Sequence, residues 1–265
     1  MKEYLYCIDS DGCAMDTMTI KHVKCFGPQF ITVFGLAKYQ NELIKRWNDI
    51  NLYEKTRGIN RFAGLHMILN EIDSDYMKIN GLDEYNVWYN STDAFSEAAL
   101  EDYISAHNRA EYNLSCLFKA LKWSKETNKC INALTEEEKK AFPGVKETIE
   151  LLHDFADVAV VSSANRAAVE EEWERCGLLE HVDYVCAQDI GDKKSCIANI
   201  LSKGYDRKKT VMIGDAVGDE EAASCNGVGY FQIVPGRETE SWEQLKHIAE
   251  ELKEVNERLL NSMSK

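Results

Sequence analysis

Proline is scarce in this sequence: Pro28, Pro143 and Pro235 are the only three in 265 residues. Long apolar runs are missing too. No stretch approaches the ~20 apolar residues of a membrane-spanning helix. The first apolar run, cut off at Asp9, is too short for a secretory leader. There is no basic excess, since 31 Lys and Arg stand against 45 Asp and Glu, a formal charge of −14. Nucleic acids and anionic membranes require a basic face, so neither is expected as a partner. A local cationic pocket for a small anion remains compatible with that balance. The nine cysteines form no CxxC pair and no Cys/His cluster at zinc spacing. They read as reduced thiols of a cytoplasmic protein. The six histidines show no ligand spacing, and internal repeats and low-complexity tracts are absent.

Hydrophobic residues, at 45%, are numerous enough for a substantial core. Pro143-Gly144 separates two regions of different pattern. From about Ile20 to Phe142, apolar residues recur at three- and four-residue spacing, as in "NELIKRWNDI", "RFAGLHMILNEI" and "AFSEAALEDYISAHNRAEYNLSCLFKALKWS". These segments predict helices, with Trp47 and Trp88 in their core. After Pro143 the pattern alternates. "VKETIELLHDF", "RAAVEEEWERCG", "KSCIANILSKG" and "EEAASCNG" predict helices between the strands "DVAVVSS", "DYVCAQ", "TVMIGD" and "VGYFQIV". A last amphipathic helix is expected from Trp242 to about Met263, opened by a capping box of Ser241 and Gln244.

Strand–helix alternation predicts a parallel, Rossmann-like α/β sheet with helices on both faces. "YLYCI" near the N-terminus supplies one more buried strand. The helical region is then an insertion, giving a core domain of 1–18 and 141–265 and a helical domain of 19–140. Ligands in such folds bind at the carboxyl ends of the strands. That rule gathers Asp9, Asp11, Ser162, Lys193-Lys194, Asp215 and Asp219 at one edge.

Two carboxylates two residues apart at the end of a buried strand repel each other, and burial makes each costlier. A cation, a shared proton, or both must compensate. Phosphoryl transfer fits this set. Asp9 and Asp215 offer the hard oxygen ligands that Mg²⁺ prefers, and Asp9 can attack phosphorus as a nucleophile. Asp11 can protonate the leaving oxygen and later activate water. Ser162 and a lysine can bind the transferring oxygens.

The strings "CIDSDG", "VVSS", "KK" and "VMIGDAVGDEEAA", in that order, resemble the haloacid dehalogenase superfamily in its aspartate-nucleophile phosphatase branch. The resemblance covers about Lys2–Asp16 and Phe142–Val234. It implies Asp9 as nucleophile and metal ligand. It makes Asp11 the general acid/base, which also ligates through its backbone carbonyl. Ser162 and Lys193 become the phosphate-binding groups, in preference to Ser163 and Lys194. Asp215 is implied as the second metal carboxylate, with Asp219 supporting the site from behind. Cys13 departs from the family pattern, standing where many relatives have a bracing Thr.

In this superfamily such an insertion forms a helical cap. "RGINRFAGLHMIL" resembles the cap loop of the β-phosphoglucomutase-like group, making Gly58 and Arg61 candidate substrate contacts; the alternative for Arg61 is a solvated helix start. The expected activity is a Mg²⁺-dependent phosphatase acting on a small phosphorylated metabolite, such as a sugar phosphate, through an aspartyl-phosphate. The rivals are a phosphosugar mutase with the same pieces and a non-catalytic phospho-aspartate signalling domain.

Overall fold

The computed structural model describes residues 1–108 and 110–263. Position 109 of the expected insertion and positions 264 and 265 of the expected core range lie outside them. The chain divides into two compact units, Met1–Thr17 with Glu136–Lys265 and Met18–Thr135. The second junction lies five residues before the expected 140/141. The backbone explains the difference: the Lys140 carbonyl accepts from the Asp16 N–H at 2.8 Å, and the Lys139 carbonyl accepts from Arg175. Residues just before the proline are thereby tied to the α/β unit.

Strand β1 (Tyr4–Ile8) opens that unit, and the chain then enters the helical one. There α1 (Met18–Ile20) runs through a π-helical turn into α2 (Gly27–Phe34). Then come α3 (Gln40–Asn48), α4 (Arg61–Asp75), α5 (Leu82–Ser91), α6 (Glu97–Ala106) and α7 (Ser115–Asn132). Their apolar faces close around Trp47, Trp88 and Trp123, all fully buried and packed with Phe30, Phe62 and Tyr85. Burying one such side chain stabilises by roughly 1.5–3 kcal/mol. The segment 94–124, read as one helical pattern, is in fact two helices. Between them the Asn108 side chain accepts from the Ala110 N–H at 3.0 Å, and its carbonyl accepts from Glu111 and Tyr112. An Asn that bonds the backbone locally offers the chain an alternative to the helix.

The α/β unit continues with α8 (Val145–Phe155), β2 (Ala156–Val161), α9 (Arg166–Arg175) and β3 (Tyr184–Cys186). It ends with α10 (Lys193–Leu201), β4 (Thr210–Gly214), α11 (Val217–Asn226), β5 (Gly229–Gln232) and α12 (Glu238–Met263). Helix α12 starts one turn before the expected Trp242. Ser241 therefore lies inside the helix, where its hydroxyl donates to the Arg237 carbonyl at 2.9 Å and is no N-cap.

All strand pairs are parallel, in the order β3-β2-β1-β4-β5. Alternation along β1 sends Tyr6 and Ile8 to a cluster with Ile149, Trp173 and Trp242, while Leu5 and Cys7 join Ile197, Ile200 and Met212. Both faces are thus covered by helices, as a sheet of this kind requires. Ile8 is paired with Val160 and Ile213, so Asp9, Ser162 and Asp215 leave the sheet within one residue of each other. The strand order also reverses at β1, with β2 on one side and β4 on the other. Such a switch point opens a crevice at the strand ends.

Candidate active site

Asp9 is the first residue beyond β1, and its N–H donates to the Ile213 carbonyl at 2.9 Å. Its side chain is 7% exposed. Beyond it the chain turns through Gly12, whose φ of +83° is a conformation that other residues rarely adopt. Asp215 follows β4 and Asp219 lies in the first turn of α11, and both are buried. Carboxylate oxygens of Asp9, Asp215 and Asp219 lie within 4.8 Å of one another.

Two features make this crowding possible. Lys193, at the start of α10, places Nζ 2.9 Å from Asp9 and 2.6 Å from Asp219. Helix α11 also starts with Asp219 turned back on it, as its carboxylate accepts from the Ala216 N–H at 3.1 Å. Gly214 makes room for that turn. A Cβ there would lie 2.2 Å from the Asp219 carboxyl carbon, so no side chain fits.

Burial pushes the Asp9 carboxyl well above its ordinary pKa; Lys193 opposes this, and Asp219 and Asp215 add to it. For Lys193 burial acts downward, but Asp219 and Asp9 together outweigh it and raise the ammonium above its usual range. Asp9 and Asp219 share the one Lys193 ammonium, and the Asp215 carboxylate lies beside them. The donor set is all oxygen and all acidic, which fits a hard divalent cation.

Four expected residues, Asp9, Lys193, Asp215 and Asp219, therefore come together. Lys194 is exposed, with its backbone carbonyl accepting from Asn226, so Lys193 is the lysine that faces Asp9. Ser162 is buried at the end of β2; its N–H donates to the Cys186 carbonyl at 3.0 Å, and its hydroxyl accepts from the Ala164 N–H at 3.1 Å. Ser163 is only half-buried. Asp11 does not join the carboxylate cluster with its side chain, which instead accepts from the Thr17 hydroxyl. Gly58 and Arg61 belong to the helical unit. Gly58 has φ +73°, and Arg61 is half-buried, donating from Nη1 to Ser124 at 3.0 Å and Asn128 at 2.7 Å. A freely solvated helix start does not describe it.

Three supporting residues escaped the sequence reading. The Trp173 indole donates to the Ser10 hydroxyl, and the Trp242 indole to the Cys13 carbonyl, each at 2.9 Å. Thr17 is the third, through Asp11. A tryptophan on an apolar helix stripe looks like any core residue, so no signal pointed to these bonds. Trp242 also answers the departure at Cys13, because the loop is braced through its backbone, while the Cys13 thiol reaches the Ile213 carbonyl at 3.6 Å.

A family model described as haloacid dehalogenase-like hydrolase matches residues 82–233, more than half of the chain. The chain belongs to that family. The haloacid dehalogenase-like assignment agrees with the parallel sheet and its strand order. It covers Ser162, Lys193, Asp215 and Asp219 and leaves Asp9 and Asp11 outside the matched stretch. No curated protein matches this hydrolase in sequence.

Solved structures share its fold at low identity. One is a haloacid dehalogenase-like hydrolase from Bacteroides fragilis, with TM-score 0.56 and 12% identity over 91% of this chain and 93% of that one. Another, from Lactobacillus delbrueckii subsp. bulgaricus, is described as a phosphoglycolate phosphatase (0.53, 15%, 87% and 85%). A third is the HAD-hydrolase YfnB from Bacillus subtilis bound to magnesium (0.51, 14%, 94% and 99%). At these identities the likeness is one of fold. Among the described residues, no helix of this hydrolase is long and apolar enough to cross a membrane.

Proposed function

We propose that this hydrolase is a Mg²⁺-dependent phosphatase that cleaves a small phosphorylated metabolite, such as a sugar phosphate, through a phosphoryl group carried on Asp9. The observation that carries the reading is Asp9 itself, a buried carboxylate at the end of the central strand, 2.9 Å from the Lys193 ammonium. A purely structural aspartate has no need of two further carboxylates within 4.8 Å. All nine cysteines are free thiols, which supports a cytoplasmic location.

Asp9 and Asp215, with the Asp11 backbone carbonyl, are the groups that would hold the ion. Bound there, Mg²⁺ supplies positive charge that offsets repulsion between the Asp9 carboxylate and a phosphate dianion. Asp9 attacks phosphorus, and the bond to the leaving oxygen breaks as Asp11 delivers a proton to it. Asp11 then takes a proton from water, which attacks the aspartyl-phosphate and releases phosphate. Lys193 and the Ser162 hydroxyl donate to the phosphoryl oxygens where charge accumulates. Asp219 keeps Lys193 charged and aimed, since both its oxygens are already engaged by that ammonium and by the Ala216 N–H. Gly58 and Arg61 of the helical unit are assigned to substrate selection.

The Asp11→Asn variant tests the scheme by separating its halves. An activated donor such as acetyl phosphate needs little acid assistance, so Asp9 should still be phosphorylated, while hydrolysis lacks its base. The protein should gain about 80 Da, on the peptide containing Asp9. A gain that persists in the Asp9→Asn, Asp11→Asn double variant would place the nucleophile elsewhere.

A further inference from the structure

Arg61 is the first residue of α4, and Glu97 is the first of α6. The start of a helix carries partial positive charge, which suits an acid and opposes a base. Glu97 is therefore well placed and Arg61 is not, since the first turn of α4 has no acidic residue to compensate. The compensation comes from other helices. Arg61 Nη1 donates to the Ser124 hydroxyl at 3.0 Å and to the Asn128 side-chain oxygen at 2.7 Å. Both of those residues donate in turn to one Glu97 oxygen, Ser124 at 2.7 Å and Asn128 at 2.8 Å. Ser124 and Asn128 lie four apart on α7 and so share one face.

The direction of every bond in this ring is fixed by chemistry. A guanidinium only donates and an ionised carboxylate only accepts, so the Ser124 proton points to Glu97 and the Asn128 amide has one usable orientation. Two acceptors on one nitrogen set the plane of the guanidinium, and its central carbon lies 4.9 Å from the centre of the Phe26 ring. The links are neutral, a hydroxyl and an amide, and leave the positive charge on Arg61. Core packing alone gives no reason to bury Ser124 completely against a cation at the wrong end of a helix. A planar fork held in one orientation is the form that binds carboxylate or phosphate oxygens in pairs.

We infer that Glu97 is a positioning residue for substrate selection, orienting Arg61 through Ser124 and Asn128 to bind a second anionic group of the substrate. That group is remote from the phosphoryl group transferred, and the inference rests on the phosphatase reading and its assignment of Arg61. Glu97 makes no contact with substrate in this scheme, and its loss acts only through Arg61. Without it, the Ser124 hydroxyl and the Asn128 amide turn freely, and the guanidinium loses its fixed plane. Pre-organisation is what a binding group gains from such a network, because less ordering is left to do when the ligand arrives. The effect of Glu97 therefore falls on binding of the remote group, hence on KM, and leaves the chemistry at Asp9 alone.

The experiment measures KM and kcat of the full-length protein with Mg²⁺ on two matched pairs of phosphate esters. They are 3-phosphoglycerate against glycerol 3-phosphate, and fructose 1,6-bisphosphate against fructose 6-phosphate. In at least one pair the parent should show the lower KM for the member with the second anion. Glu97→Ala should raise that KM about tenfold or more, with a smaller change for the other member and little change in kcat. Glu97→Gln, which keeps an acceptor for Ser124 and Asn128, should restore most of the preference. In the Arg61→Ala background, Glu97→Ala should add nothing further. Melting curves check each fold, and if Glu97→Ala does not fold, Asn128→Leu must show the same split. A parent that prefers the second anion in neither pair overturns the inference. So does an equal change in both members of a pair, or an effect of Glu97→Ala that persists without Arg61. A parent that hydrolyses no phosphate ester overturns the phosphatase reading instead, and calorimetric affinities of the same proteins for the same pairs then decide the role of Glu97.

Discussion

The Trp173 indole and the Ser10 hydroxyl, 163 residues apart in sequence, meet at 2.9 Å beneath the loop that carries Asp9 and Asp11. Ser10 stands between the two aspartates, so α9 holds this loop through one buried bond, as Trp242 of α12 does through the Cys13 carbonyl. Trp173→Phe keeps most of the ring and removes the donor. It should cost about 1–3 kcal/mol, because a buried hydroxyl is left without its partner. Thermal unfolding reads that loss. The kcat on p-nitrophenyl phosphate should fall by about ten- to a hundredfold with little change in KM, since the loop loses its register. Ser10→Ala combined with Trp173→Phe should cost less than the sum of the two.

Gly214 and Gly218 lie four residues apart and should answer differently to the same substitution. Gly214→Ala forces a Cβ to within 2.2–2.4 Å of the Asp219 side chain, which must then leave Lys193 and the α11 N-terminus. Activity should drop by about 100-fold or more. At Gly218 nothing lies within 4 Å of an added Cβ, and Gly218→Ala should stabilise α11 by up to about 1 kcal/mol with activity unchanged. Paired kinetics and melting curves check both. Equal behaviour of the two variants would remove Asp219 from the argument.

Lys193→Met should leave the Asp9 and Asp219 carboxylates without that cation, at about 3–5 kcal/mol in metal-free protein. Added Mg²⁺ should recover part of that stability but not the activity. Lys194→Met, on an exposed neighbour, should stay within about 0.5 kcal/mol of the parent and keep full activity. Calorimetry with and without Mg²⁺ distinguishes them.

Arg61→Ala removes hydrogen bonds to Ser124 and Asn128 and a guanidinium that lies 4.9 Å from the Phe26 ring centre. Stability should fall by about 1–2 kcal/mol. The KM should rise about 10- to 150-fold for substrates with a second anionic or hydroxyl-rich end. Hydrolysis of p-nitrophenyl phosphate should be unaffected. A uniform change across substrates would confine Arg61 to packing.

Much of this protein was decided locally and is legible in the chain. The period of apolar residues placed α8, α9 and α10 and the strands β1, β2 and β4, because each element must bury one face and the spacing records which. Asp9, Ser162 and Asp215 were found for the same reason: polar residues directly after buried strands must sit at the strand ends. The helical region was equally plain, but its break at 107–114 was not, since Asn108 turns the chain through backbone bonds that leave the apolar pattern intact. The family resemblance preferred Lys193 to Lys194, but only the tertiary structure brings its ammonium to 2.9 Å from Asp9. Neighbours on a helix point about 100° apart, and which direction meets Asp9 depends on how α10 packs against the sheet. The same holds for Trp173 and Trp242. Their partners are backbone and side-chain groups brought close by strand order, and strand order is a long-range property that local periodicity does not record.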